Sequence, residues 1–196
     1  MSEKMSEREQ KNREAVVTML SGRKVHLFEP QPEEFDVLDV AKGLSTIARY
    51  NGQTIKPYWV GDHSVLVARI FLKQEQIEFA KYGLLHDGAE AVYHDMTHPF
   101  KYMPEMAAYK KLEKKGQRAL YKRYGLEEEP QEVKNLDMLL TNNEKRDLRN
   151  GIGLSADAEF YPDLVITPWG PEKTEREFLK MFNLLFGEEF GEVAIP

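Results

Sequence analysis

The sequence predicts an all-α domain with a small N-terminal β-hairpin. Over most of the chain, apolar residues recur at the i, i+3, i+4, i+7 spacing of amphipathic helices. Only residues 16 to 28 read as two short β-rich runs, which flank a turn that contains Gly22. At 196 residues the chain is long enough to form one domain with a substantial core.

The elements follow from the changes of period along the chain. Residues 1 to 14 are charged and lack an apolar stripe, so we expect a flexible arm there and a single domain over residues 15 to 196. A first helix starts at Asp36 and ends near Arg49-Tyr50-Asn51-Gly52, where Asn-Gly favours a stop. Residues 151 to 171 contain Gly, Pro and Asp without a clear period, which predicts a long loop. Further helices are expected at about 62 to 73, 75 to 93, 105 to 124, 130 to 148 and 172 to 187.

The composition excludes several classes of protein and of site. The chain contains no cysteine, so a metal must be held by nitrogen and oxygen ligands. The net charge of −6 argues against nucleic-acid binding, which normally needs a basic face. No run approaches the roughly 18 to 20 apolar residues of a membrane span, so we expect a cytoplasmic protein that does not bind membranes.

Four side chains that commonly bind metals fall at positions where helical periodicity requires inward-facing residues. His63 lies on the apolar stripe of the helix expected at 62 to 73. The pair His86-Asp87 lies in a helix that is apolar nearly all round, and Asp137 shares a face with three apolar residues. An unpaired buried carboxylate costs several kcal/mol, so these two acids indicate a metal, a salt bridge or a functional proton.

Five motifs in a fixed order extend this pattern. They are Arg49-Tyr50-Asn51-Gly52, Asp62-His63-Ser64-Val65, Leu84-Leu85-His86-Asp87-Gly88-Ala89-Glu90-Ala91, Asp95-Met96-Thr97-His98-Pro99-Phe100-Lys101 and Val133-Lys134-Asn135-Leu136-Asp137. The ordered set resembles the HD-domain metal-dependent phosphohydrolases. Within them it is similar to the compact branch of bacterial 5'-deoxynucleotidases and phage deoxynucleotide triphosphohydrolases, including those that act on dATP. The resemblance runs from about Ser21 to Phe186.

This resemblance implies a helical HD domain and a role for each matching residue. It implies that a divalent metal is bound by His63, His86, Asp87 and Asp137. It further implies acid/base catalysis by Glu90, phosphate binding by Arg49 and a second polar catalytic role for Asp95. On the substrate side, Tyr50 is a candidate wall of the nucleoside pocket and Lys101 a candidate phosphate contact. The implied partner is a small (deoxy)nucleotide.

Two residues depart from the pattern of the resembling proteins. Tyr50 stands where this branch often has tryptophan, a residue associated with sensing the deoxyribose, so discrimination against ribose stays open. His94 stands where glycine commonly precedes the second acid, so the turn at Asp95 is expected to differ in shape. His94-Asp95 is also a rival ligand pair, but it lies at an expected turn, and we prefer His86-Asp87.

Several alternatives remain open at the level of sequence. Two imidazoles and two carboxylates suit Mn, Fe, Co, Ni or Zn alike. The substrate can be a monophosphate or a triphosphate, for which the cations Arg49, Lys56, Lys81 and Lys101 are candidates. A non-catalytic, metal-stabilised nucleotide-binding or regulatory module is the alternative function. The oligomeric state is open as well, and the amphipathic helix at 105 to 124 offers a face for a homo-oligomer. Neighbouring residues on a helix point about 100° apart, so joint binding by His86 and Asp87 predicts either a local distortion or contact with the ion from two sides.

Overall fold

Helices form most of the structure, a computed structural model that describes residues 15 to 187. The predicted class, all-α with a small N-terminal hairpin, is confirmed, whereas the predicted arm at 1 to 14 lies outside the described residues. Between residues 15 and 187, no helix combines the length and the apolar character needed to cross a membrane. The elements are β1 (Val16–Thr18), β2 (Lys24–His26), α1 (Val37–Leu44), α2 (Val60–Lys73), α3 (Ile77–Leu85), α4 (Glu90–Tyr93), α5 (His98–Lys101), α6 (Ala107–Arg123), α7 (Gln131–Leu148) and α8 (Pro171–Phe186).

The hairpin pairs β1 and β2 antiparallel, with Val17 opposite Val25. Gly22 supplies the turn with φ 85°, a backbone conformation that glycine adopts without steric cost. The Val25 side chain is buried against the helices. The backbone N–H of Ser21 donates to Asp39 Oδ1 at 3.0 Å, which ties the turn to α1.

The core is built around α2, which packs against α1, α3, α7 and α8. Val65, Val67 and Ala68 of α2 are fully buried, and of these three Val67 lies on the apolar stripe that the sequence predicted. Burying an aliphatic side chain of this size contributes about 1.5 to 3 kcal/mol. Fully buried side chains of the other helices include Leu44, Leu84, Leu120, Leu140, Phe178 and Phe182.

The predicted end of the first helix is wrong, because α1 stops at Leu44. The Ser45 and Thr46 hydroxyls donate back to the carbonyls of Lys42 and Gly43 at 2.8 and 3.1 Å, which competes with helix propagation. The chain then runs extended, and the Arg49 N–H donates to the Tyr58 carbonyl at 2.9 Å. Arg49 therefore begins a short 3-10 turn over residues 49 to 52 and does not end α1.

The single helix predicted over 75 to 93 is also wrong. A turn over residues 86 to 89 divides it into α3 and α4. In this turn the backbone bonds span three residues instead of four, with Gly88 N–H to Leu85 O at 2.9 Å and Glu90 N–H to Asp87 O at 3.0 Å. Gly88 lies directly against α6, where a Cβ would come within 2.2 Å of Leu120 Cδ2. The apolar periodicity persists through the turn and so conceals it.

The predicted loop before the last helix is confirmed, and α8 begins at Pro171. Polar side chains of α7 hold the loop. Asn143 exchanges two hydrogen bonds with the Tyr161 backbone at 2.8 and 2.9 Å, and Asp147 accepts from Ile166 N–H at 2.8 Å. Asp62 of α2 accepts from Trp169 N–H at 3.0 Å. These bonds satisfy backbone groups that the loop itself does not pair.

Candidate metal centre

Three of the four predicted metal ligands meet at one point. One ligand atom each from His63, His86 and Asp137 lies within 4.8 Å of the others, so the group could hold a metal ion. The two Nε2 atoms are 3.2 Å apart, and His63 Nε2 is 3.0 Å from Asp137 Oδ1. The group joins α2, the turn after α3, and α7.

These spacings fit a divalent ion. With metal–ligand bonds of about 2.1 Å, two ligands at a right angle around an ion lie about 3 Å apart. The observed separations of 3.2 and 3.0 Å match that value. The donors, imidazole nitrogen and carboxylate oxygen, are those preferred by first-row transition metals.

Asp87, the fourth predicted ligand, lies at the edge of this group. Its Oδ2 is 3.2 Å from His86 Nε2 and 3.3 Å from Arg49 Nη1. The tightened turn therefore brings the two neighbouring side chains together, in agreement with the expected distortion.

The two histidines lie deeper than the two acids. The His63 side chain is completely buried, whereas 39% of the Asp137 side chain is exposed. The prediction that Asp137 is a buried acid is therefore wrong, because its end of α7 borders solvent on the carboxylate side. The group is consequently closed to solvent at its two imidazoles and open to solvent at the Asp137 carboxylate.

The second nitrogen of each imidazole has its own partner. His86 Nδ1 donates to the Gly83 carbonyl at 2.8 Å, which directs Nε2 toward the group. His63 Nδ1 lies 2.6 Å from Glu144 Oε1. Such outer contacts fix the tautomer and the ring orientation of ligand histidines.

The sequence reasoning missed Glu144. Its side chain is completely buried, and its Oε2 accepts from Arg49 Nε at 3.1 Å and from the Tyr50 hydroxyl at 2.6 Å. A signal was present, because Glu144 follows Asp137 by seven residues and so shares its face of α7. A second acid on the same helix face as a candidate metal ligand indicates a polar cluster.

A short 3-10 turn over residues 49 to 52, which follows the bridge between Ala48 and Trp59, carries Arg49 and Tyr50 to the group. Tyr50 and Asn51 both have left-handed backbones, with φ 56° and 52°. A residue with a side chain costs about 1 to 2 kcal/mol in this conformation, and such costs concentrate at functional sites. The bond from the Tyr50 hydroxyl to Glu144 holds the strained segment against α7.

Side chains of opposite charge lie next to each other in this group, and each stabilises the charged form of its neighbour. Burial alone lowers the pKa of His86, but the Asp87 carboxylate outweighs burial and raises that pKa to about 10. Burial raises the pKa of Glu144, yet Arg49 and His63 outweigh it and hold that pKa below its ordinary value. The raised pKa favours a positive charge on His86, and a bound cation would supply that charge in its place.

Glu90 and Asp95 both interact electrostatically with Asp87 at the edge of the group. Burial raises the pKa of Glu90 well above its ordinary value, and the charges of Asp87 and Asp95 raise it further. Within residues 15 to 187, the buried Glu90 Oε2 has no hydrogen-bond partner. Burial likewise raises the pKa of Asp95, against the opposing charge of Arg49. The two predicted catalytic acids are therefore electrostatic neighbours of the ligand group.

Lys101, the predicted phosphate contact, is paired with an acid that the sequence reasoning did not select. Its Nζ donates to Glu113 Oε1 at 2.7 Å across α5 and α6. Burial lowers the pKa of Lys101, but this bond and the charges of Glu113, Glu90 and Asp87 raise it overall. Of the other two candidate cations, Lys81 donates to Glu78 on its own helix at 2.7 Å and Lys56 is exposed.

The rival pair His94-Asp95 does not enter the ligand group of His63, His86 and Asp137. His94 has φ 72° and ψ 152°, a region occupied almost exclusively by glycine. The backbone at His94 is therefore strained, because this residue carries a side chain. The expected difference in the shape of the turn at Asp95 stays a prediction.

Comparison with known proteins gives two relatives named as uncharacterized proteins. One, from Rhodobacter capsulatus, is 37% identical over 115 residues, which cover 55% of this chain and 57% of the relative. The chain thus spans little more than half the length of that relative. The second, YfdR of Escherichia coli, is 28% identical over 177 residues, which cover 85% of this chain and 93% of YfdR. No family model matches the chain. The function must therefore be argued from the site.

Proposed function

We propose that this chain is an HD-domain metal-dependent phosphohydrolase that hydrolyses deoxynucleotide phosphoesters. One observation carries the proposal: the buried guanidinium of Arg49 lies 3.3 Å from Asp87, at the edge of a group able to hold a metal ion. A metal with an adjacent arginine suits a substrate with clustered negative charge, as in a phosphate group.

The ligands for the ion are His63, His86, Asp87 and Asp137, and Mn, Fe, Co, Ni or Zn suits this set. Such an ion, when bound, neutralises phosphate charge and lowers the pKa of bound water. The carboxylate side of the group, where Asp137 is 39% exposed, is the side from which substrate enters.

Substrate orientation falls to Arg49, Tyr50 and Lys101. Arg49 uses Nε for Glu144, and its Nη2 makes only a long contact of 3.4 Å with Thr141, so this nitrogen is available to an anion. Lys101 brings a second cation, which can exchange its Glu113 partner for phosphate. Tyr50 presents its ring beside Arg49 and forms the wall for the sugar.

Proton transfer falls to Glu90. Its raised pKa and unpartnered Oε2 suit a carboxyl that holds a proton and gives it to the leaving oxygen. Asp95 supports this role, because its negative charge raises the pKa of Glu90. A non-catalytic nucleotide-binding module would gain nothing from this buried acid.

The test is a product assay on dialysed protein that is resupplied with each divalent ion in turn. The panel contains deoxynucleoside monophosphates, the matching ribonucleotides and deoxynucleoside triphosphates. Release of inorganic phosphate identifies a nucleotidase, and release of triphosphate identifies a triphosphohydrolase. Nucleotide binding without turnover under any ion would replace the proposal with the non-catalytic module.

A further inference from the structure

We propose that Glu144 is a positioning residue that sets the metal ligand His63 and the phosphate-binding Arg49 together. One buried carboxylate then positions a residue of the metal-binding part of the site and a residue of the phosphate-binding part. The part that concerns Arg49 rests on the proposed function, whereas the part that concerns His63 does not.

The contacts divide between the two carboxylate oxygens. Oε1 lies 2.6 Å from His63 Nδ1, and Oε2 accepts from Arg49 Nε at 3.1 Å and from the Tyr50 hydroxyl at 2.6 Å. The side chain is completely inaccessible to solvent. Water therefore cannot replace either contact, and both depend on Glu144.

The His63 contact determines where its lone pair points. Because a carboxylate only accepts hydrogen bonds, Nδ1 must carry the proton in this bond. Nε2 is then directed at the ligand group, 3.2 Å from His86 Nε2 and 3.0 Å from Asp137 Oδ1. Glu144 therefore selects the tautomer that can bind a metal through Nε2.

The Arg49 contact determines which nitrogens remain for an anion. With Nε engaged by Glu144, the guanidinium plane is fixed, and Nη1 and Nη2 extend to Asp87 at 3.3 Å and Thr141 at 3.4 Å. These two bonds are long, so the terminal nitrogens are the weakly engaged ones. A phosphate oxygen can take them without breaking the bond that holds the plane.

A glutamine at this position tests both contacts of the carboxylate. An amide has one acceptor oxygen and no charge, whereas Glu144 uses both of its oxygens as acceptors. Glu144→Gln therefore loses one of the two contacts, and it weakens the contact that it keeps, because a neutral oxygen is a weaker acceptor than a carboxylate. The variant keeps the size of the side chain, so a loss of binding reports on the hydrogen bonds.

The experiment measures two affinities in Glu144→Gln and in the matched control Asp147→Asn. The control removes one negative charge from the same helix, at a residue that contacts Arg146 and the Ile166 backbone. The probes are Mn²⁺ alone and inorganic phosphate added to the Mn²⁺-loaded protein. We expect Glu144→Gln to weaken Mn²⁺ binding about 10- to 100-fold and phosphate binding about 10-fold or more. We expect Asp147→Asn to change each by less than about twofold.

A spectroscopic measurement separates positioning from general destabilisation. The short bond to Glu144 should give the His63 Nδ1 proton a far-downfield NMR signal, which Glu144→Gln moves or removes and Asp147→Asn leaves in place. If Glu144→Gln does not fold, Glu144→Asp gives the same readouts, since it keeps the charge but is one methylene too short for all three partners.

Three outcomes would overturn the inference. They are unchanged affinities in a folded Glu144→Gln protein, a loss confined to one of the two ligands, or a wild-type protein that binds no phosphate beside Mn²⁺. None of these measurements uses nucleotide turnover. A wild-type protein that binds both probes but hydrolyses nothing would refute the proposed function and leave the role of Glu144 supported or refuted on its own data.

Discussion

At the residue scale, the buried side chain of Glu90 differs from those of the hydrophobic core in its hydrogen bonding. Its Oε2 is buried and, within residues 15 to 187, has no hydrogen-bond partner. An unsatisfied buried polar group of this kind costs about 1 to 3 kcal/mol. Its pKa is raised by burial and by neighbouring acids, a combination that is typical of catalytic carboxyls. The cost therefore favours a catalytic role over a structural one.

We predict that Glu90→Gln lowers kcat about 10²- to 10⁴-fold, because the amide cannot give a proton to the leaving oxygen. The bound metal per chain, measured by elemental analysis, should not change, because Glu90 is outside the ligand group. The melting temperature should not fall, since no hydrogen bond to Oε2 is lost. The exposed Glu105→Gln is the matched control and should keep full activity. A Glu90→Gln protein with kcat within about threefold of wild type would refute the assigned role.

At the scale of elements, the decisive feature is the turn between α3 and α4. It brings Asp87 Oδ2 to 3.2 Å from His86 Nε2. The turn depends on Gly88, because a Cβ there would meet Leu120 Cδ2 at 2.2 Å and the Leu85 carbonyl oxygen at 3.0 Å. The close packing of the turn on α6 thus fixes the geometry of the two candidate ligands His86 and Asp87.

We predict that Gly88→Ala lowers the free energy of unfolding by about 1 to 3 kcal/mol, the usual cost of overpacking a core. The measurement is urea denaturation followed by circular dichroism. Gly170→Ala is the matched control, because the nearest atom to its Cβ would be Glu172 Oε2 at 3.7 Å, an ordinary contact. We expect a change of less than about 0.5 kcal/mol for the control. Equal stabilities for the two variants would show that the turn is not constrained by α6.

At the scale of the whole molecule, the candidate ligands join parts of the chain that are far apart in sequence. His63 lies in α2, His86 follows α3 and Asp137 lies in α7. An ion held by all three binds only the folded chain, so it stabilises that state through mass action.

We predict that Mn²⁺ at about 100 times its Kd stabilises the fold by about 2.7 kcal/mol. For a chain of this size the melting temperature should rise by roughly 5 to 10 °C, and EDTA should reverse the rise. Differential scanning calorimetry gives the measurement. Asp137→Asn, at a half-exposed position, should fold normally but lose most of the rise. A rise of equal size in this variant would place the ion elsewhere.

The sequence predicted most of the helices, because their apolar stripes repeat with a clear period. It failed where periodicity continues through a break, as at residues 86 to 89, and where side-chain hydroxyls end a helix early, as at Ser45. It selected His63 and His86 correctly as inward residues. It missed Glu144, although the seven-residue spacing from Asp137 placed Glu144 on the same face of α7. It missed Glu113 because a charged residue on a mixed helix face gives no signal until its partner is known.

The sequence by itself determined the helical class, the hairpin, the nitrogen and oxygen chemistry of any metal site, and the ordered motifs that resemble the HD phosphohydrolases. These depend on residue type and local period, which are properties of the chain alone. Only the tertiary structure decided that His63, His86 and Asp137 meet within 4.8 Å. It also decided that Glu144 contacts both His63 and Arg49. Such contacts join residues tens of positions apart, and their distances depend on how the helices pack rather than on how each helix forms.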